Sequence, residues 1–153
     1  MQKISSFTVN HDILEKGVYI SRIDGDVITY DIRMKKPNGG DYLSDKELHT
    51  IEHLFATYAR NSIYKNSVIY VGPMGCRTGF YLLERDTLGN QQALDLIKES
   101  FSFISTYYSE IPGSKKSECG NYLEHDLHSA RKVALDMIEV LSEWTTEKMT
   151  YNK

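Results

Sequence analysis

The chain has 153 residues, of which 41% are hydrophobic and 25% are charged, and its formal net charge is −3. This length fits one domain with a single sizeable core. The acidic balance and the lack of a basic stripe argue against a nucleic-acid partner, and no apolar run reaches the roughly 18 residues of a membrane span. Because the first residues show no signal-peptide pattern, the sequence predicts a cytoplasmic protein without a membrane partner.

Five runs of residues are typical of β-strands. The first run alternates apolar and polar residues, which predicts a strand with one buried face. The second and third runs flank Asp24-Gly25-Asp26, which is typical of a hairpin turn. The predicted strands cover residues 5–11, 17–23, 27–34, 67–71 and 79–84.

Three stretches are typical of helices that bury one apolar face. The first begins at Ser44, which forms a capping-box pattern with Glu47, and it ends near Asn61. The second covers residues 91–108 and the third covers residues 128–148. The order β-β-β-α-β-β-α-α predicts an α+β fold, in which helices cover an antiparallel sheet within one domain spanning the whole chain.

The first predicted helix carries His49 and His53, four residues apart and therefore on one face. Both imidazoles can reach one metal ion from there. Glu52 is next to the same site without having to be a ligand, which suits a general acid or base. Two ordinary histidines on a solvated face are the alternative. The intervening glutamate and the apolar stripe of the helix favour a site.

The two cysteines lie in different settings, and a structural disulfide is not expected in a reducing compartment. Cys76 lies in a turn rich in glycine beside Arg77, whose charge favours a reactive thiolate. A tight turn without chemistry explains Cys76 equally well. Cys119 would complete a site of three ligands with His49 and His53, leaving one tetrahedral position open, as in catalytic metal sites. Spacing alone does not place Cys119 in that site.

Two other functions fit part of this pattern. The pentapeptide at residues 49–53 also matches the inverted zinc-peptidase motif, for which Glu124 is a candidate third ligand. A peptidase of that kind would give neither cysteine a role. A non-enzymatic zinc-stabilised domain would need a closed fourth ligand, supplied by His125 or Cys76.

Five segments together resemble the S-ribosylhomocysteine lyase family, the autoinducer-2 synthases of bacteria. They occur in the family's order and are Ser6-Phe7-Thr8-Val9-Asn10-His11, Asp31-Ile32-Arg33, His49-Thr50-Ile51-Glu52-His53-Leu54-Phe55-Ala56, Pro73-Met74-Gly75-Cys76-Arg77-Thr78-Gly79-Phe80-Tyr81, and Cys119-Gly120 with His125. One departure precedes Pro73. The family has Asp-Ile-Ser where this chain has Tyr70-Val71-Gly72, so an acidic residue near the family's pocket is missing.

The resemblance implies roles for eight residues. The implied metal ligands are His49, His53 and Cys119, the implied catalytic acid–base pair is Glu52 and Cys76, and the implied substrate-binding residues are Ser6, His11 and Arg33. Taken alone, His11 would be read as an ordinary strand-end histidine and Arg33 as half of a surface salt bridge.

The resemblance also implies a homodimer with active sites at the subunit interface. Each chain is expected to bind one divalent metal, Fe(II), which Zn or Co can replace. The implied reaction converts a small molecule, S-ribosylhomocysteine, into L-homocysteine and 4,5-dihydroxy-2,3-pentanedione, the autoinducer-2 precursor. The sugar carbonyl must move from C1 to C2 and C3 before the thiol at C5 can leave by β-elimination. The metal would act as a Lewis acid, while Glu52 and Cys76 carry protons.

Overall fold

The computed structural model describes residues 1–152, which form a four-stranded sheet and three α-helices around one hydrophobic core. The strands are β1 (Gly17–Asp24), β2 (Val27–Arg33), β3 (Val68–Pro73) and β4 (Gly79–Arg85), and the helices are α1 (Asp45–Asn61), α2 (Asn90–Ser105) and α3 (Leu127–Leu141). No helix within the described residues is both long and apolar enough to cross a membrane.

The sheet has the strand order β1-β2-β4-β3, and every neighbouring pair is antiparallel. The predicted hairpin joins β1 to β2 through Gly25, whose φ of 61° lies in the left-handed region that glycine tolerates best. The predicted α+β class, with helices packed on an antiparallel sheet, is confirmed. The homodimer stays a prediction.

Strand β2 shows how the two faces of the sheet differ. Tyr30 and Ile32 are fully buried in the core on the helical side. Because side chains alternate along a strand, Asp31 and Arg33 point to the opposite face. They are buried as well, although α1, α2 and α3 contribute to the core on the other face. A polar site therefore lies on the side of the sheet away from the core.

The predicted first strand, residues 5–11, is wrong. Ser5–Phe7 form a 3₁₀ turn, and the residues that follow are turns rather than part of the sheet. The polar residues of this run hydrogen-bond to nearby backbone and so compete with strand pairing. Thr8 Oγ1 donates to the carbonyl oxygen of Ser5 at 2.6 Å, and the Asn10 side chain accepts from an amide two residues later.

The second helix ends three residues earlier than predicted, at Ser105. Its last turn is rich in hydroxyl side chains that bond to backbone carbonyls. Ser105 Oγ donates to the carbonyl oxygen of Ser102 at 2.8 Å, and Thr106 Oγ1 donates to the same oxygen at 3.1 Å. The apolar stripe predicted to continue to Tyr108 therefore stops, and Tyr108 is exposed.

The third helix ends at Leu141 instead of Lys148, because the chain turns back to reach β1. The Trp144 indole Nε1 donates to the carbonyl oxygen of Val18 at 3.0 Å. Its ring lies over Gly17, where a Cβ would come within 2.2 Å of the ring. Only a residue without a side chain leaves room for this contact.

Candidate functional site

Helix α1 orients the two histidines of the pentapeptide. The predicted capping box is present: Glu47 N donates to Ser44 Oγ at 3.2 Å, and Ser44 N donates to the Glu47 carboxylate at 2.8 Å. Full burial of Ile51 fixes the rotation of the helix about its axis. His49 and His53 then lie on a half-buried flank with ring centroids 4.6 Å apart and ring planes nearly perpendicular.

Cys119 joins these two histidines, although it lies far along the chain in the segment before α3. Its Sγ is 3.3 Å from His49 Nε2 and 3.9 Å from His53 Nε2. His125 is the fourth member of the group, and the four ligand atoms lie within 4.8 Å of one another. The structure thus brings together the three residues that the resemblance implies as metal ligands and adds a third imidazole.

Main-chain carbonyls fix the orientation of both helix histidines. His49 Nδ1 lies 2.8 Å from the carbonyl oxygen of Glu124, and His53 Nδ1 lies 2.8 Å from that of Pro112. A carbonyl oxygen only accepts, so each Nδ1 must carry the proton. With the proton on Nδ1, Nε2 is the nitrogen of each ring that can bind a metal, and the two Nε2 atoms lie 3.3 and 3.9 Å from Cys119 Sγ, the arrangement typical of metal-binding histidines.

His125 stacks on His49 with ring centroids 4.0 Å apart and ring planes 20° from parallel. Its Nδ1 lies 3.2 Å from Thr50 Oγ1, which also accepts from the backbone N–H of Asp126. Burial, together with the neighbouring His49 and His53 rings, lowers the pKa of His125 to about 4. This imidazole is therefore neutral near pH 7.

The His125 Nε2 atom is buried and has no hydrogen-bond partner among the described residues. Such an orphaned polar atom is costly unless another group completes the site. Neutral imidazoles and a thiolate are the donors that Fe, Zn and Co accept. The cluster of His49, His53, Cys119 and His125 therefore fits a metal ion.

Glu52 lies beside the cluster without belonging to it. It lines a cavity of about 400 Å³ together with His49, Asn121 and Glu124. The Glu124 side chain accepts from the Asn121 amide and is not part of the ligand group. The third ligand of the peptidase alternative is thus absent from the described cluster, where Cys119 lies instead, and that alternative is not supported.

Cys76 lies in the turn between β3 and β4. The turn is held by a hydrogen bond of 3.0 Å from Arg77 N to the carbonyl oxygen of Met74. Arg77 itself has a left-handed φ of 60°. The thiol is exposed, and its Sγ lies 3.0 Å from Thr78 Oγ1 and 3.9 Å from Arg33 Nη1.

Arg33 forms a buried ion pair, not the surface salt bridge that the sequence left open. Its side chain is 4% exposed and that of Asp31 is 2% exposed. Arg33 Nε and Nη2 donate to the two Asp31 carboxylate oxygens at 3.1 and 2.6 Å. Arg33 Nη1 donates to Thr78 Oγ1 at 2.7 Å and faces Cys76. A cation is thus held against the thiol.

The remaining predicted substrate residues line a cavity of about 280 Å³ with Cys76 and Arg33. Ser6 reaches it from the 3₁₀ turn, and His11 lies in the loop that follows, with Nδ1 2.9 Å from the carbonyl oxygen of Val9. Sequence reasoning missed Tyr81 and Tyr151 in the same wall. Tyr81 lies in a predicted strand and in a segment that carries the resemblance, but nothing in the sequence marks it as a cavity residue, and Tyr151 is brought there by long-range packing.

The departure before Pro73 involves two positions that depend on each other. Tyr70 is 51% exposed, and its ring lies over Gly72 in β3. A Cβ at Gly72 would come within 2.3 Å of the Tyr70 hydroxyl. The tyrosine and the glycine are therefore compatible with each other, whereas a serine at position 72 would displace this ring.

The predicted site residues therefore fall into two groups. His49 and Glu52 line one cavity, while Ser6, His11, Arg33 and Cys76 line the other. Pro73 is common to both linings.

The fold and this site define a small α+β protein with a cluster of nitrogen and sulfur donors that can hold one metal ion, and with a separate thiol next to a buried arginine. A family model described as S-Ribosylhomocysteinase (LuxS) matches residues 4–148. The chain belongs to this family.

Full-length relatives agree with this assignment. An S-ribosylhomocysteine lyase of Phocaeicola vulgatus is 44% identical over 157 residues, covering 99% of this chain and 98% of the relative. Those of Porphyromonas gingivalis and Borreliella afzelii are 45% and 41% identical, each covering 99% of both chains.

Proposed function

We propose that this protein is a metal-dependent carbon–sulfur lyase that cleaves S-ribosylhomocysteine to L-homocysteine and 4,5-dihydroxy-2,3-pentanedione in the cytoplasm. The whole chain, residues 1–153, would form one lyase domain. The observation that carries the proposal is the convergence of the His49, His53 and Cys119 donor atoms beside the Glu52 carboxylate. The names of the relatives supply the substrate.

In this proposal His49, His53 and Cys119 hold the metal, Fe(II) in the cell and Zn or Co as replacements. Two neutral imidazoles and a thiolate leave room for a substrate oxygen. The bound cation would polarise the sugar carbonyl as a Lewis acid. The protein's part is to keep both Nε2 lone pairs available, which the carbonyls of Glu124 and Pro112 do.

Glu52 and Cys76 would move the protons. Each carbonyl shift removes a proton from the carbon next to the carbonyl and returns one to the former carbonyl carbon. Groups that can both accept and donate near neutral pH are required. Arg33 Nη1 lies 3.9 Å from Cys76 Sγ, so the thiol has a cation next to it. When the carbonyl reaches C3, removal of a proton from C4 expels the homocysteine thiol from C5.

We further propose that two subunits complete each active site. The acid–base residues line different cavities in one chain, yet both must act on one sugar. Exposed apolar side chains lie next to both cavities. Phe7 is 69% exposed at the rim of the Cys76 cavity, and Leu123 is 75% exposed beside Glu124 of the other cavity. A second copy packed against these side chains would bury them and bring the two groups together.

The direct test is thiol release from S-ribosylhomocysteine by protein loaded anaerobically with Fe(II) or Co(II). We expect one homocysteine to be released for each S-ribosylhomocysteine consumed. For Glu52→Gln, which keeps the shape of the side chain but cannot transfer a proton, we expect the rate of thiol release to decrease roughly 10²-fold or more. Glu139→Gln, a change on the exposed face of α3, is the matched control and should react like the wild type. Absence of thiol release by the loaded wild-type protein would contradict the proposal.

A closed structural zinc site is the second candidate, because His125 lies in the same cluster as the three proposed ligands. In that case zinc removal would unfold the protein, and the loaded protein would release no thiol. Thermal unfolding with and without metal, measured beside the thiol assay, separates the two functions.

A further inference from the structure

Tyr151 reaches the Cys76 cavity from the segment that follows α3. Its hydroxyl donates to Asp31 Oδ2 at 2.7 Å, and its ring stacks on Tyr19 with centroids 5.0 Å apart and planes 17° from parallel. The side chain also lines the cavity that contains Cys76 and Arg33. Tyr151 thus contacts the ion pair that faces the thiol.

The segment that carries Tyr151 is anchored along β1. Ile20 N donates to the carbonyl oxygen of Met149 at 2.8 Å, and the Met149 side chain is fully buried in the core. Trp144 adds its bond to the Val18 carbonyl at 3.0 Å. These contacts fix the position of Tyr151 relative to β1.

The hydrogen bonds around Asp31 are shared unequally. Its Oδ1 accepts from Arg33 Nε at 3.1 Å, whereas its Oδ2 accepts from both Arg33 Nη2 at 2.6 Å and the Tyr151 hydroxyl at 2.7 Å. Arg33 Nη1 remains to face Thr78 and Cys76. The negative charge of the Asp31 carboxylate is therefore balanced by two kinds of hydrogen-bond donor, the Tyr151 hydroxyl and the Arg33 guanidinium, and not by the guanidinium alone.

We propose that Tyr151 is a positioning residue for Cys76, acting through Asp31 and Arg33. Its hydroxyl fixes the orientation of the Asp31 carboxylate against the Arg33 guanidinium. The same hydrogen bond balances part of the negative charge of Asp31. Arg33 then presents more of its positive charge to the sulfur, which favours the thiolate. The role of Cys76 as proton carrier rests on the proposed function, but the Tyr151 linkage does not.

Other charged or titratable groups around the sulfur come from each neighbouring element. The cavity that contains Cys76 and Arg33 is lined by His11 from the first loop, Asp31 and Arg33 from β2, Tyr81 from β4, and Tyr151, while Arg77 from the turn lines a second cavity that also borders Cys76. Of these, Arg33 is the cation whose nitrogen lies 3.9 Å from the Cys76 sulfur. Loss of the Tyr151 hydroxyl leaves all the others in place, so its effect can be measured against a constant background.

The test is the rate at which iodoacetamide alkylates Cys76 in the metal-loaded protein, followed by peptide mass at pH 7 and at pH 10. Tyr151→Phe removes the hydroxyl and retains the ring stack. We expect the rate at pH 7 to fall roughly 3- to 10-fold and the rate at pH 10 to stay within about twofold, because only the thiolate reacts. A rate change that is equal at both pH values would mean altered access and would overturn the proposal.

Two further variants separate the hydroxyl from packing. Tyr19→Phe removes the hydroxyl of the stacked neighbour, which donates to the Glu15 carbonyl and not to Asp31, and its profile should match the wild type. Tyr151→Leu removes ring and hydroxyl together and should lower the pH 7 rate at least as much as Tyr151→Phe. If Tyr151→Phe behaves like the wild type, Tyr151 only packs, and the proposal fails. Alkylation needs no turnover, so a failed lyase assay would leave this result independent.

Discussion

The histidine–cysteine cluster and the Cys76 cavity place a thiol in opposite surroundings. Around Cys119 the neighbours are the imidazoles of His49, His53 and His125, and main-chain carbonyls hold the Nδ1 atoms of the two helix histidines. Around Cys76 the neighbour is a guanidinium fixed by a buried carboxylate. A cysteine that binds a metal needs other donor atoms that converge on the same point. A cysteine that carries protons is helped instead by a nearby cation. The two settings predict different results from the same substitution.

The largest effect is expected from Cys119→Ala. Loss of the thiolate leaves imidazoles as the only donors in the cluster and removes the negative charge that attracts the cation, so metal content should fall from about one ion per chain to near zero and turnover should disappear. Atomic absorption after gel filtration measures the loss. His128→Gln, at an exposed histidine outside the cluster, is the control. Full metal content in the Cys119→Ala protein would remove this cysteine from the site.

Cys76→Ala should separate metal binding from turnover. Because Cys76 lies outside the ligand group, its loss should leave metal content and thermal stability unchanged. Thiol release should fall by roughly 10²- to 10⁴-fold, the usual effect of removing a positioned acid–base group. Full activity in this variant would assign proton transfer to another residue.

His125→Gln tests whether the third imidazole supports the cluster. The His125 ring stacks on His49 and so helps to orient it, and His125 Nδ1 lies within hydrogen-bond distance of Thr50 Oγ1. Loss of such a supporting contact usually weakens metal affinity by roughly 10- to 100-fold. Competition with a chromophoric chelator, at Co(II) levels that saturate the wild type, measures the change. An affinity equal to that of the wild type would mean that His125 only fills space.

Mixing two inactive variants tests whether the two regions meet across a dimer. A Cys76→Ala chain and a Glu52→Gln chain each retain the residue that the other lacks. If each site takes these residues from different subunits, random re-pairing of equal amounts should restore about a quarter of wild-type activity. Re-paired chains that stay inactive would place both residues of a site in one subunit, and a monomer in sedimentation would exclude the dimer itself.

Glu84 and Asp31 are both buried carboxyl groups of the sheet, but they differ in their partners. Asp31 has Arg33 as its partner, whereas neither Glu84 oxygen has a partner among residues 1–152, and burial raises the Glu84 pKa from 4.5 to about 7. Protonation therefore stabilises the native state. That contribution is complete below about pH 4.5 and is lost as the pH rises through 7.

Replacing this carboxyl should show in stability and not in catalysis. Between pH 5 and pH 8 the free energy of unfolding of the wild type should fall by about 2 to 3 kcal/mol more than that of Glu84→Gln, which stays neutral. Urea unfolding at the two pH values gives the difference. Parallel pH dependence in the two proteins would show that Glu84 has a partner or is hydrated.

Local patterns predicted the parts of the molecule that depend on neighbours in sequence. The capping box at Ser44, the turn at Gly25 and the pairing of His49 with His53 on one flank follow from spacing alone. The position of Cys119 beside those histidines followed only from the family resemblance, because about seventy residues separate the segments. Tyr151 and the ends of α2 and α3 could not be predicted, since contacts with distant strands and hydroxyl side chains decide them.

The hydrogen bond from Trp144 to Val18 joins residues that are 126 positions apart in the sequence, and the hydrogen bond from Tyr151 to Asp31 joins residues that are 120 positions apart. Contacts of such high sequence separation have to close a long loop, so we expect them to form late during folding. The hairpin of β1 and β2 needs only its own turn and can form early. We therefore expect the wall of the Cys76 cavity to be completed near the end of the folding reaction, and substitutions at Trp144 to accelerate unfolding while leaving the folding rate almost unchanged.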